Sequence, residues 1–130
     1  MSAQPAPFPS TIAASADSVL RTIDELPPLS WAQKLAYLVY RFHGGGQQEC
    51  PIRVSFEPKL YIREIEIPAG ILFIGRVHTK GHECELVSGR LIHITEHYRH
   101  NRCAPDRIHT TPGYQMVFYT LTPIVGRTRH

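Results

Sequence analysis

IEIPAGILFIGRVHTKGHECELVSGRLIHIT, residues 65–95, is the stretch whose reading decides how this chain folds. Apolar and polar residues alternate into it over Tyr61–Ile67, with Ile65 and Ile67 on one face and Glu64 and Glu66 on the other, the period of a half-buried strand. Pro68-Ala69-Gly70 turns the chain. Ile71–His78 reads as the next strand, with Leu72, Ile74, Arg76 and His78 on one face and Phe73, Gly75 and Val77 on the other. After the turn Thr79-Lys80-Gly81, the residues His82, Cys84 and Leu86 share a face of the following strand, which Gly89 ends. If both strands line the mouth of a barrel, His78 and His82 converge across the turn.

Within this stretch the spacing is Gly70, five residues, Arg76-Val77-His78, three residues, His82, six residues, Gly89. That frame resembles the first motif of the cupins, in which a glycine is followed after five residues by His-any-His, then a glutamate and a second glycine. Arg76 stands here at the first histidine and His82 at the glutamate. The likeness covers residues 51–130 and is nearest to the small single-domain cupins of tailed bacteriophages and prophages. It implies an all-β fold, a cupin-type antiparallel jelly-roll barrel with an N-terminal α-helical arm.

Most cupin enzymes hold a divalent ion with three histidines and a carboxylate, so the resemblance also raises the question of a metal. His78 and His82 fall in register for it, and imidazole suits Fe, Mn, Ni, Cu or Zn. Arg76 cannot ligate, because a guanidinium stays protonated. The second cupin motif places its histidine after a Pro-any-Gly turn, and here Pro112-Gly113 leads to Met116 instead. A third ligand would have to come from His93, Met116 or His130, the last ending a strand expected to run beside the one that carries His78. The expected cofactor is therefore none, or one divalent transition metal. Arg76, Cys84, His93 and Met116 are the expected pocket-lining residues. Arg76 also offers a planar fork donor to a carboxylate or phosphate. Cys84 on an inward face reads as a small hydrophobe rather than a nucleophile, and no catalytic residue is assigned.

Beyond the motif, turns at Gly89 and at Thr111-Pro112-Gly113 separate Leu91–Thr95, Tyr114–Thr120 and Ile124–Arg129 as further strands, while His97–Pro105 reads as a polar loop. Arg99, Arg102 and Arg107 fall in and beside that loop and read as solvated. The net charge of +3 with neutral histidines is too small a bias for a nucleic-acid binder. Three cysteines, Cys50, Cys84 and Cys103, form no CxxC pair and are odd in number, which speaks against a secreted disulfide framework. MSAQPAPFPS carries no basic and apolar leader pattern, and Trp31–Tyr40 is too short to span a bilayer.

Upstream of residue 45 the period is helical. Three prolines in residues 1–10 favour an extended arm. Val19, Leu20, Ile23 and Leu26 share one helix face that Pro27-Pro28 closes, and Trp31, Leu35, Leu38, Val39 and Phe42 recur at helical spacing behind the N-cap Ser30. The chain thus divides into residues 1–47, an arm with two short helices, and residues 48–130, the jelly roll. The apolar face of the second helix either folds back over the barrel or packs on a neighbouring subunit. The second choice makes Trp31, Leu35, Leu38, Val39 and Phe42 assembly residues.

Three functions follow. The favoured one is a non-enzymatic structural or adaptor protein that forms a homo-oligomer, in the company of other virion proteins of a tailed phage, in the virion or the host cytoplasm, with no nucleic acid or membrane as partner. The others are a metal-dependent oxygenase or isomerase, and a small-molecule or glycan-binding module using Arg76, Tyr114 and Tyr119.

Overall fold

The computed structural model describes residues 9–42 and 50–129, apart from the side chains of Arg53, Phe56, Glu57, Leu60 and His82. Among the described residues two helices and ten strands follow one another as β1 Ser10–Ala13, α1 Ala16–Glu25, α2 Trp31–Phe42, β2 Ile52–Glu57, β3 Leu60–Ile67, β4 Ile71–Val77, β5 His82–Ser88, β6 Arg90–Ile94, β7 Arg99–Cys103, β8 Asp106–Thr110, β9 Gln115–Thr120 and β10 Ile124–Arg129. The strands form two five-stranded sheets, ordered β1-β4-β9-β6-β7 and β2-β3-β10-β5-β8, and every pairing is antiparallel. This is the expected all-β jelly roll.

The helices begin where the sequence signals them. Ser15 accepts a hydrogen bond from the Ser18 amide at 3.1 Å, capping α1. Ser30 and Gln33 close a reciprocal box at α2: the Gln33 amide donates to Ser30 Oγ at 3.2 Å and the Ser30 amide to Gln33 Oε1 at 2.9 Å. Both helices lay their apolar sides on the outer face of the first sheet. There Val19, Ile23, Leu35, Leu38 and Val39 are buried together with Leu72, Ile74, Ile94, Val117 and Tyr119. Of the two readings of α2, the chain adopts the one in which the helix covers its own barrel. Leu35 and Leu38, both 0% exposed, have no surface left for a neighbour, while Trp31 and Phe42 pack at the margin of the same cluster.

A second core lies between the sheets, made of Ile67, Ile71, Leu86, Leu91 and Ile124 with Ile65, Phe73 and Phe118 against it. Phe73 and Phe118 pair across β4 and β9 and stack with ring centroids 4.6 Å apart. The two cores explain why β4 reads as a nearly continuous apolar run: Leu72 and Ile74 face the helices, and Ile71 and Phe73 face the interior.

Three expectations change. The polar stretch 97–105 is not a loop; it contains β7, an edge strand paired to β6, and edge strands carry polar residues on both faces. Ser10–Ala13, at the end of the proline-rich start, forms β1 and pairs with β4 as an edge strand, while residues 1–8 of the expected arm lie outside the described residues. The last strand, β10, lies between β3 and β5 in the second sheet, so it does not run beside the strand leading to His78; His130 itself lies outside the described residues.

Gly89 of the motif turns the chain at φ +93, and a β-carbon there would stand 2.3 Å from the Pro123 carbonyl oxygen. No other residue satisfies both conditions.

Candidate functional site

The interior between the sheets is not filled. A cavity of about 500 Å³ lies there, within the size range of small-molecule pockets. Its walls are mainly apolar, with Ile65, Ile67, Phe73, Leu86, Met116 and Phe118 among them. Pro9 and Thr11 from the β1 side and Cys50 and Ile52 from the β2 side also line it, so it reaches the seam between these two edge strands.

Strand β3 runs into the turn at residues 68–70 and β4 runs out of it, so the start of β3 and the end of β4 stand at the same end of the barrel. Arg63 lies near that start and Arg76 and His78 near that end, and all three line the cavity. Register explains Arg63: it sits in a cross-strand row with Val54, Thr128, Cys84 and Ile108, the inner face of the second sheet. Arg76 and His78 reach the cavity for a different reason. Strict alternation would have put them on the helix side with Leu72 and Ile74, but the pairing of β4 with β9 shifts between Ile74 and Val77, and this bulge turns the strand end over. Gly75 stands inside the bulge, where a β-carbon would lie 3.2 Å from the Phe73 ring.

Cys84 and Met116 line the same cavity. Burial, with the Glu83 carboxylate nearby, pushes the Cys84 thiol up to about 11, so it stays protonated near neutral pH. His93 does not line the cavity; it belongs to a chain of polar groups beside it. Arg102 Nε donates to His93 Nδ1 at 3.3 Å, and Arg102 Nη1 pairs with Asp106 Oδ2 at 2.8 Å. Because arginine cannot accept, His93 Nδ1 must carry a lone pair, which leaves the proton on Nε2 facing the Tyr114 hydroxyl at 2.5 Å. Burial, then Arg102 and His100, lowers the imidazole to about 4, so His93 is neutral. The Arg102 side chain holds Asp106 below the usual carboxylate range. The network closes the side of the barrel where β7 passes into β8. Arg102, expected to be solvated, is thus one of its members.

Of the residues singled out in the sequence, Arg76, His78, Cys84 and Met116 meet in the cavity. The side chain of His82 lies outside the described residues; its backbone opens β5 opposite Thr110. Tyr119 faces away, donating to the Ala14 carbonyl at 2.6 Å under the helices. Sequence reading missed Arg63, Tyr114 as the partner of His93, and Asp106. The alternation of β3 already placed Arg63 with Ile65 and Ile67, and that signal was available.

The outer face of the second sheet carries a row of alternating charge across four of its strands, Glu64, Arg127, Glu85 and Arg107. Arg127 joins Glu64 at 3.1 Å and Glu85 at 3.9 Å.

No protein-family model and no curated protein matches the chain. Solved structures do. An acetylacetone dioxygenase from Acinetobacter johnsonii superposes with a TM-score of 0.52 at 14% identity, over 62% of this chain and 58% of that one. The cupin domain of an XRE family transcriptional regulator from Enterobacter cloacae gives 0.53 at 12% identity, over 63% of this chain and 95% of that domain. The chain has the cupin fold. The Cnp3 cupin domain of Schizosaccharomyces pombe agrees, with a TM-score of 0.53 at 10% identity and 64% of each chain covered. This chain spans less than two thirds of the dioxygenase's length. The finer likeness to phage cupins stays with the sequence motif.

Against the metal set of cupin enzymes the donors fit poorly. Among the described residues no three of His, Cys, Asp and Glu come together. Arg76 holds the first histidine position, both ring nitrogens of His93 are engaged, and Cys84 is protonated. We derive no step through a metal.

Proposed function

We propose that this cupin is a small-molecule-binding module rather than a building block, with the interior of the barrel as its site. One observation carries the reading: a cavity of about 500 Å³ with apolar walls and arginines at one end, in a fold small enough to have filled its core. The assembly reading rested on the missing consensus ligands and the likeness to phage cupins and gave the contact to α2, whose apolar face packs on the chain's own sheet. The structural neighbours include an enzyme and a domain of a transcriptional regulator, so the fold itself does not choose between catalysis and binding. The choice comes from the donor set, which offers a shaped apolar space and cationic forks and, among the described residues, no group of three His, Cys, Asp or Glu that could hold a metal ion.

Native mass spectrometry tests the reading. Freshly purified protein, or protein exposed to a panel of amphipathic small molecules, should carry one molecule per chain. A Gly126→Leu variant should lose it, because a β-carbon at Gly126 has ordinary room, 3.7 Å from Ile65, and the rest of the leucine enters the cavity. A bound molecule that persists in Gly126→Leu, or a wild type that takes up nothing from the panel, overturns the proposal.

A further inference from the structure

Resting on the binding-module reading, we infer that the ligand is an organic carboxylate with an unbranched or flat apolar body, buried tail first, with its carboxylate held at the barrel end by Arg63 and Arg76.

The distribution of polarity along the cavity argues for this class. From the turn at residues 68–70 outward, the lining runs from Ile67, Ile124 and Leu91 through Phe73, Phe118 and Leu86 to Arg63, Arg76 and His78. The inner end is mainly apolar; its polar lining groups Thr11 and Cys50 hydrogen-bond each other. A sugar buried there would leave most of its hydroxyls without partners, whereas an apolar chain gains from the same surface.

Among the described lining residues, the charged groups at the other end are Arg63 and Arg76. Glu85 is the single carboxylate among the described lining residues, and it belongs to the outer charge row, where Arg127 neutralises it. Arg63 and Arg76 belong to opposite sheets and both line the cavity, so a ligand inside it can meet a guanidinium fork from either sheet. A carboxylate taken out of water needs such paired, charge-assisted donors, and an ammonium group would be repelled by them. The cavity also reaches the seam between β1 and β2, where Pro9, Thr11, Cys50 and Ile52 line it.

Isothermal titration of the full chain with octanoate, octanol and octylamine, each below its micelle-forming concentration, decides the matter. Octanoate should bind once per chain and at least roughly tenfold more tightly than octanol, with octylamine weakest, since a charge-assisted hydrogen bond carries about that much discrimination. Arg63→Gln and Arg76→Gln should each weaken octanoate roughly tenfold to a hundredfold and leave octanol unchanged. Octanol binding as well as octanoate, in a manner blocked by Gly126→Leu, would overturn the carboxylate assignment and leave the cavity as a binding site. No heat from any of the three would overturn both. The comparison of the three ligands on the wild-type chain stands even if an arginine variant fails to fold.

Discussion

At position 93 a histidine is buried with both ring nitrogens committed, one accepting from Arg102 and one donating to Tyr114. Its folded-state value near 4 lies below the ordinary 6.5, so between those values the unfolded chain binds a proton that the folded chain refuses. Stability is therefore whole above about pH 6.5 and falls as pH drops toward 4, by up to about 3 kcal/mol. Glutamine can accept from Arg102 and donate to Tyr114 as neutral histidine does, so His93→Gln should flatten that slope in urea unfolding measured from pH 7 to 4. An equally steep slope in the variant would mean that other groups cause it. The motif residues Arg76 and His78 could be read from spacing alone, but the network around His93 could not. Arg102 and Tyr114 are 12 positions apart in the chain and meet His93 only through the fold, and a run of arginines and histidines looks the same in sequence whether solvated or buried.

Among the elements, the strands with alternating or bounded apolar runs were legible, and so were both helices with their caps, because local periodicity and capping chemistry decide them. What misled was polarity without alternation. Strand β7 carries Arg99, His100, Asn101 and Arg102 in succession, and only pairing with β6 makes it a strand. The bulge in β4 was hidden for a related reason: register belongs to two strands, and β9 is needed to see it. The same dependence builds the outer charge row, whose members come from four strands and show no motif. Arg127 sits between Glu64 and Glu85, all three half-buried. Replacing it with methionine keeps much of the packing but leaves two carboxylates on either side of β10 with no cation between them. Arg127→Met should cost about 1–3 kcal/mol in chemical denaturation, and Glu64→Gln with Glu85→Gln in the same chain should return part of it. A variant as stable as the wild type would show that the row contributes nothing measurable.

For the whole molecule, the helices and the barrel interior answer different questions. The helices and the first sheet make a sealed core that accounts for the apolar face of α2, and no helix among the described residues is long and apolar enough to cross a membrane. The barrel interior is left open, and its donors decide what it can hold. A tight site for a transition metal needs about three imidazole, thiolate or carboxylate ligands converging on one point. The cavity instead presents His78 beside Arg76, with a guanidinium charge that opposes a divalent cation and a Cys84 thiol that would have to lose its proton near pH 11 without help. Protein purified without chelator or affinity-tag metal should therefore contain well under one Fe, Mn, Ni, Cu or Zn per chain by elemental analysis, and octanoate should stabilise it against heat whether or not metal is added. About one equivalent of metal, lost in a His78→Ala variant, would reverse this: it would place a ligand set around His78 and His82, make Arg76 a neighbour of a metal-bound anion, and return the chain to the enzymes of its fold.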